Sequence, residues 1–294
     1  MGDPSAARSA APPLLVVVGP TASGKTELAC RLCAQHDGEV VSADSVQIYR
    51  HFDLGSGKPS PEERRQAPHH LVDAVDPLEP MDAARFVAMA DAAIADIHAR
   101  GRTAVVCGGT FLWVKALLRG LAPMPPADPV LRARHEAVVA EEGPRGLHAR
   151  LESVDPEAAQ RLSPNDVLRV GRALEVFALS GTPQTEWHRR HQFRHARYAA
   201  RMVAVARSRE GLEARIRARV ARWLEAGWVD QVKQLKVDGF GTARAMDAVG
   251  FRQIGDHLRG ALAADALEDA IVRATRRFAR RQRTWLRDEP IEYI

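Results

Sequence analysis

A chain of 294 residues, 46% hydrophobic and 27% charged, can bury a sizeable core and is too apolar to stay disordered. Its formal net charge is +5, carried almost wholly by arginine, whose planar fork pairs bidentately with phosphate, so polyanionic partners are favoured. No run of about 18 apolar residues occurs, which excludes a transmembrane helix, and three cysteines are too few for a disulfide framework, so a reduced, cytoplasmic protein is expected.

Residues 1–13 are small, Pro-rich and without an apolar run; they read as a flexible tail with no secretory leader. Leu14 to Val18 is a short β-branched strand ending in glycine, followed by a helical pattern from near Lys25 that carries Cys30-x-x-Cys33. That cysteine pair lacks a second pair at zinc spacing and reads as packing. A second strand is expected at Glu39 to Ser42, a helix over Asp82 to Arg100, and a buried strand at Thr103 to Cys107 closed by Gly108 and Gly109. This alternation predicts an α/β fold, a parallel sheet flanked by helices.

Beyond a Pro-rich connector from Leu121 to Pro129, the pattern is wholly helical to about Gly181, with breaks at Gly143-Pro144 and Asp155-Pro156. An inserted all-helical subdomain is therefore expected over 121–200, between a first part of the core at 14–120 and its completion at 201–294. Met202 to Ala206 reads as a returning strand. From Leu212 the chain is helical almost to its end, punctuated by Gly227, Gly239, Gly241 and Gly260.

Gly19-Pro20-Thr21-Ala22-Ser23-Gly24-Lys25-Thr26 fits G-x-x-x-x-G-K-[ST], with a strand before it and a helix after it. In a P-loop the backbone N–H groups and the positive helix end cradle phosphate oxygens. Lys25 adds a point charge and Thr26 a hydroxyl for Mg²⁺. The motif specifies phosphate or nucleotide binding, ATP included, without naming the molecule. An ATPase normally places a Mg²⁺-holding carboxylate at the end of an apolar strand, whereas Thr103 to Cys107 runs into Gly108-Gly109-Thr110.

Asp44 follows the second strand at its carboxyl end, where open α/β sheets gather ligand-binding groups. It is the candidate general base, though an aspartate there is equally suited to cap a turn. Ser42-Ala-Asp44-Ser45-Val46-Gln47-Ile-Tyr49-Arg50 and Gly55-Ser-Gly-Lys58-Pro59, read with the P-loop, resemble the D-S-x-Q-x-Y-R and G-T-A-K-P segments of the tRNA dimethylallyltransferase family. Further matches are Pro68 to Asp73 with Asp76-Pro77, Gly108 to Trp113, Asn165-Asp166 with Arg169 and Arg172 to Glu175, Val249 to Arg252, and Arg280 to Trp285. Together they span roughly 14 to 287.

The resemblance implies a P-loop NTPase-like core that binds dimethylallyl diphosphate with Mg²⁺ at Thr26 and passes the prenyl group to N6 of the adenine 3′ to the anticodon. It implies Asp44 as base, Thr110 near the reacting centre, Lys25 and residues 19–26 on the diphosphate, and Arg219 directed at it, with Arg215 one turn earlier. For Thr110 a plain turn threonine, and for the two arginines a solvated helix charge, are the alternatives. The resemblance further implies contacts with the tRNA anticodon stem-loop from Asp44, Ser45, Val46 and Gln47; from Asp166, Val167, Leu168, Arg169 and Val170; and from Asp247, Ala248, Val249, Gly250, Phe251 and Arg252. Such an enzyme is expected to act as a monomer and to flip its target base out of the stack.

The chain departs from the family pattern at Ser56-Gly57, Trp113, Phe251 and Asp247, where Thr-Ala, Tyr, Tyr and a basic residue are common, which weakens any contact through a phenol at 251 or a cation at 247. From Trp187 to Arg209 there are seven arginines, three histidines and no acid, and from Ile271 to Arg287 seven arginines and no acid. A subset is expected on phosphate. Rival readings are a small-molecule P-loop kinase, an isopentenyltransferase using free adenine nucleotide, and a non-catalytic nucleic-acid-binding module.

Overall fold

The computed structural model describes residues 13–294; the expected flexible tail lies outside the described residues except for Pro13. The chain divides into two compact units, one formed by the residues up to Leu118 together with Arg197–Ile294, the other by Arg119–Ala196.

The first unit opens with β1 (Leu14–Val18), α1 (Lys25–His36), β2 (Gly38–Ser42), α2 (Pro61–Gln66), β3 (His69–His70), α3 (Ala83–Ala99), β4 (Thr103–Gly108) and α4 (Phe111–Arg119). β1, β2 and β4 are near-continuously buried, as strands covered on both faces must be. α3 starts where the Asp82 side chain accepts the Arg85 N–H at 2.8 Å, and it turns Phe86, Ala90, Ile94 and Ile97 inward at helical spacing.

The second unit holds α5 (Pro129–Val154), α6 (Pro156–Arg161), α7 (Val167–Ser180) and α8 (Gln184–His191). Gly143, at φ 74°, breaks α5 just before Pro144, as the Gly-Pro pair predicts. Leu147, Leu151, Ala158, Val170 and Ala173 form this unit's own apolar core. Two buried carboxylates pin it. Asp155 accepts the Ala158 N–H at 3.0 Å and the Thr185 N–H and hydroxyl at 2.9 and 2.8 Å, joining α6 to α8. Glu175 accepts the Asp128 N–H at 2.7 Å and pairs with Arg132 and Arg172. α8 escapes the sequence reading because its polar sequence QTEWHRRH carries little apolar periodicity.

The chain then re-enters the first unit as β5 (Ala200–Ala204), α9 (Arg209–Glu225), α10 (Trp228–Val237), two 3₁₀ turns at Phe240–Thr242 and Arg244–Asp247, α11 (Phe251–Leu258), α12 (Ala264–Leu286) and β6 (Ile291–Tyr293). The six strands of the described residues form one parallel sheet, in the order β3-β2-β4-β1-β5-β6. β5 begins two residues before its expected start at Met202, because pairing with β1 sets its limits: Ala200 lies opposite Leu14 and Ala204 opposite Val18. β3 and β6, two and three residues long, are too short for a periodic signal. The sheet with its flanking helices is the expected P-loop NTPase-like architecture. It brings the carboxyl ends of β1, β2, β4 and β5 side by side, delivering Gly19, Asp44, Thr110 and Arg207 to one edge.

Candidate active site

The loop between β1 and α1 is shaped to leave donors free. Gly19, Ala22 and Gly24 take positive φ of 151°, 64° and 101°. Ala22 pays steric strain there that glycine would not. The N–H groups of Gly24, Lys25 and Thr26 make no hydrogen bond among the described residues, and the Ser23 hydroxyl is buried without a partner. A buried donor without an acceptor is costly, and a phosphate oxygen would relieve it. Thr21 behaves differently: its N–H donates to Gln282 Oε1 at 2.8 Å and is not free for phosphate. Lys25 Nζ donates to the Pro20 carbonyl at 2.9 Å. Burial pushes the Lys25 ammonium below the ordinary lysine value, with Cys107 and Asp44 acting in the opposite sense.

Asp44 stands in the next loop. Its Oδ1 accepts the N–H groups of Val46 and Gln47 at 2.9 and 3.2 Å, an Asx turn that fixes the carboxylate. Oδ2 accepts no hydrogen bond from any described residue, so the turn-capping and base readings are compatible, one oxygen for each. Thr110 accepts the Ser45 N–H at 3.0 Å and bonds the Ser45 hydroxyl at 3.2 Å, while its own N–H donates to Ala43 at 3.2 Å. It thereby ties the β4 turn to the Asp44 loop. Gln47 Nε2 donates to the Gly57 carbonyl at 2.7 Å, and its Oε1 accepts from Ser42 at 3.1 Å. Gly57 sits at φ 70°, a conformation that favours glycine, in ordinary van der Waals reach of Arg219 and Trp223 on α9.

Arg219 is tucked over the Trp223 ring, with its guanidinium carbon 5.2 Å from the centroid. Burial pushes its pKa down, Arg215 and Arg222 add to this, and Glu63 and Asp44 oppose it. Arg215 reaches the phosphate loop directly, donating Nε to the Ala22 carbonyl at 2.8 Å. Arg207, which the sequence reading left unassigned, donates Nε to the Ser23 carbonyl at 3.2 Å. Its signal was its place just beyond β5, the strand that pairs with β1. Gln282 was likewise unassigned. It is buried, and it joins Thr21 to Gly109, whose carbonyl accepts its Nε2 at 2.9 Å. A polar residue on the apolar stripe of α12, three residues after Ala279 and four before Leu286, was the available clue.

The remaining assigned segments divide by exposure. Ser45, Leu168, Arg169, Asp247 and Arg252 are exposed, whereas Val170 and Phe251 are buried in the cores of their respective units. Their side chains serve packing, so a tRNA contact at either position would run through the backbone. Asp166 to Val170 belong to the second unit, with Asp166 accepting the Arg169 N–H at 3.4 Å at the start of α7. Gly250 belongs to the first, where a Cβ would strike the Trp228 ring at 2.0 Å. Cys30 and Cys33 are buried free thiols, pushed by burial up to about 11 and about 12, and are packing residues.

No cluster of three or more His, Cys, Asp or Glu side chains able to hold a metal occurs among the described residues. The Thr26 hydroxyl makes no hydrogen bond there either, which suits a cation held by one hydroxyl and substrate oxygens. No helix among the described residues is long and apolar enough to cross a membrane.

Residues 47–289 match the model of the IPP transferase family, and residues 12–74 that of isopentenyl transferase. A tRNA dimethylallyltransferase of Sorangium cellulosum is 65% identical over 281 residues, covering 96% of this chain and 90% of that protein. One from Anaeromyxobacter dehalogenans strain 2CP-C is 50% identical, covering 94% and 92%. The full-length tRNA isopentenylpyrophosphate transferase of Bacillus halodurans superposes with a TM-score of 0.71 at 35% identity, over 96% of this chain and 89% of that one. A eukaryotic dimethylallyltransferase described as acting on tRNA gives a TM-score of 0.77 at 27% identity, over 93% and 69%. With its phosphate loop, second-strand aspartate and Gly-Gly-Thr turn assembled at one edge of the sheet, the chain belongs to the IPP transferase family.

Proposed function

We propose that the protein transfers the dimethylallyl group of dimethylallyl diphosphate to N6 of the adenine 3′ to the anticodon in tRNA, releasing diphosphate. The observation that carries this reading is Asp44, with one carboxylate oxygen fixed by two backbone N–H groups and the other free, beside a phosphate loop with unused donors.

The adenine amine is a poor nucleophile because its lone pair is delocalised into the ring. A carboxylate taking its proton as N6 bonds to the allylic carbon aids attack. The carbon–oxygen bond to diphosphate breaks, and negative charge develops on the leaving group. Lys25, the free loop N–H groups and Arg219 stabilise that charge as it forms. Arg215 and Arg207, bonded to the Ala22 and Ser23 carbonyls, hold the loop and place their own charge beside it. A bound divalent cation, Mg²⁺ in this reading, would sit on Thr26 and substrate oxygens and supply further neutralisation of the diphosphate. Thr110 acts by holding the Ser45 backbone, and hence the Asp44 loop, against β4.

Ser45 and Gln47 are placed to read the base edge, and the exposed members of Asp166 to Arg169 and Asp247 to Arg252 to meet the anticodon stem-loop. The protein is proposed to work as a cytoplasmic monomer. A kinase reading gains nothing from the structure, since β4 ends at Gly108 and runs into Gly109-Thr110 with no carboxylate.

The test is transfer of labelled dimethylallyl diphosphate to tRNA, with Asp44→Asn and Asp44→Ala in parallel. Asparagine keeps the Asx turn but cannot take the proton. We expect Asp44→Asn to lose about 10²–10⁴-fold in rate with unchanged melting temperature. Activity retained in Asp44→Asn but lost in Asp44→Ala would reduce Asp44 to a turn residue. Label appearing on free AMP alone would move the substrate away from tRNA.

A further inference from the structure

A lysine in a Gly-Ser-Gly-Lys-Pro loop that packs against Arg219 invites the reading of one more phosphate ligand. The structure gives Lys58 a different occupation. Its side chain is only 6% exposed, and its ammonium is taken up by two carboxylates: Nζ donates to Asp53 Oδ1 at 2.8 Å and is paired with Asp73. Asp73 is held in turn by Arg64 at 2.8 Å, whose Nε donates to the Pro59 carbonyl at 3.3 Å. A buried ammonium already neutralised on two sides has little attraction left for a diphosphate; it acts between the segments that carry the acids.

Those segments enclose Gln47. The Asp73 N–H donates to the Gln47 carbonyl at 3.1 Å and the Ala74 N–H to the Ile48 carbonyl at 2.8 Å, so this strip of chain lies along residues 47–48. On the other side the carbonyl of Gly57, one residue before Lys58, accepts Gln47 Nε2 at 2.7 Å. Lys58 thereby closes a ring that runs from the Gln47 backbone to Asp73, through the Asp73 carboxylate to Lys58, along the chain to Gly57 and back to the Gln47 amide. Asp73 takes a positive φ of 57°, a conformation that costs a non-glycine residue energy and that the ion pair helps to hold.

The ring decides how the Gln47 amide points. A carbonyl can only accept, so Nε2 must face Gly57, and Oε1 is left for the Ser42 hydroxyl, which donates to it at 3.1 Å. One N–H and one lone pair remain, each at a fixed end of the amide. A glutamine free to turn over presents donor and acceptor interchangeably, whereas a fixed order of donor and acceptor distinguishes one base edge from another.

We infer that Lys58 is a positioning residue for base recognition: through the Gly57 carbonyl it locks the Gln47 amide in the orientation that meets the target base. The inference rests on the proposed reading of Gln47 as a residue that meets the base edge. Lys58→Met leaves two carboxylates around one place without their cation, so they repel, the Gly57 carbonyl is withdrawn and the Gln47 amide is free to turn.

The experiment measures kcat/KM for tRNA with the full chain at saturating dimethylallyl diphosphate, for the wild type, Gln47→Ala, Lys58→Met and the double variant. Calorimetric binding of inorganic diphosphate and melting temperatures are taken alongside. We expect each single variant to lower kcat/KM for tRNA at least about fivefold, as loss of a base-edge contact implies, with diphosphate affinity within about twofold of wild type. The double variant should fall no further than the weaker single one, because Lys58 acts through Gln47. Losses that multiply, or a Lys58→Met enzyme with wild-type kinetics on tRNA, would overturn the inference and leave the reading of Gln47 standing. Diphosphate affinity that falls in step with tRNA activity in Lys58→Met would also sink it, by making Lys58 a general support of the site. A Gln47→Ala enzyme with wild-type kinetics removes the reading of Gln47 and the inference together, and a wild type that transfers nothing to tRNA removes the proposed function itself. Asp53→Asn keeps the test decisive if Lys58→Met does not fold. Asp53 is exposed and the ammonium retains Asp73, so this variant should lose about two- to fivefold on tRNA, and the loss should vanish in the Gln47→Ala background. No loss in Asp53→Asn, or a loss that persists in that background, contradicts the inference.

Discussion

The site's working parts are single side chains held by backbone, and their predicted behaviour follows from what each touches. Gln282 satisfies Thr21 N–H and the Gly109 carbonyl together. Gln282→Leu leaves both unpaired in a buried setting and should cost about 1–3 kcal/mol for each stranded group, read as a lower melting temperature. Because Thr21 lies in the phosphate loop, KM for dimethylallyl diphosphate should rise in the same variant. Lys25 supplies a second prediction. Its pKa is depressed, so the protonated form that clamps diphosphate is lost as pH rises, starting below the range of an ordinary lysine. Diphosphate affinity should therefore fall on the alkaline side, and Lys25→Arg, charged throughout, should flatten that limb. Titrations of diphosphate binding against pH would show either outcome.

Among elements, Trp228 at the start of α10 is the piece around which the loops are fitted. It is buried, meets Trp223 and Phe251 edge-on, and fills the space next to both Gly55 and Gly250. A methyl at either glycine would overlap the ring, and both have positive φ. Gly250→Ala should cost about 1–3 kcal/mol from overpacking, on top of about 1–2 kcal/mol of backbone strain. Gly260→Ala, with positive φ but open space, should show only the strain. Comparing their denaturation midpoints separates the two terms.

β2 carries a different anchor at its other end. Glu39 is buried and bonded to Arg100, Arg102 and His70, and Arg100 foremost holds its carboxyl well below the usual carboxylate range, against the effect of burial. A depressed carboxylate stabilises the fold above its unfolded value. That contribution drains away as pH falls from the ordinary glutamate range toward the depressed value. Glu39→Gln should lower stability by about 1–3 kcal/mol near neutral pH and shrink the difference from wild type in acid, as stability measured against pH would reveal.

At the scale of the molecule, residues 119–196 leave and return at neighbouring points, since the Arg197 N–H donates to the Leu118 carbonyl at 2.8 Å. Replacing that stretch by a short Gly-Ser linker should preserve the six-stranded sheet and diphosphate binding while lowering tRNA affinity at least tenfold or so, the segment being the proposed carrier of the Asp166 to Arg169 contacts. Circular dichroism and a tRNA binding curve would check both halves.

The sequence by itself determined whatever is written locally. The phosphate loop, β1, β2, β4 and the break at Gly143-Pro144 rest on glycine and proline geometry and on short apolar runs, and these were legible before any fold was known. Tertiary structure alone decided what depends on partners distant in the chain. β3 and β6 exist because neighbouring strands complete them, and Gln282 reaches a loop 261 residues away. Of two equally basic stretches, four arginines of the first pair with acids, whereas Arg207 and Arg209 at its end join those of the second around one cleft. Residue type sets which interactions a side chain can make; whether a charge finds an acid or an open space depends on which segments the fold brings beside it.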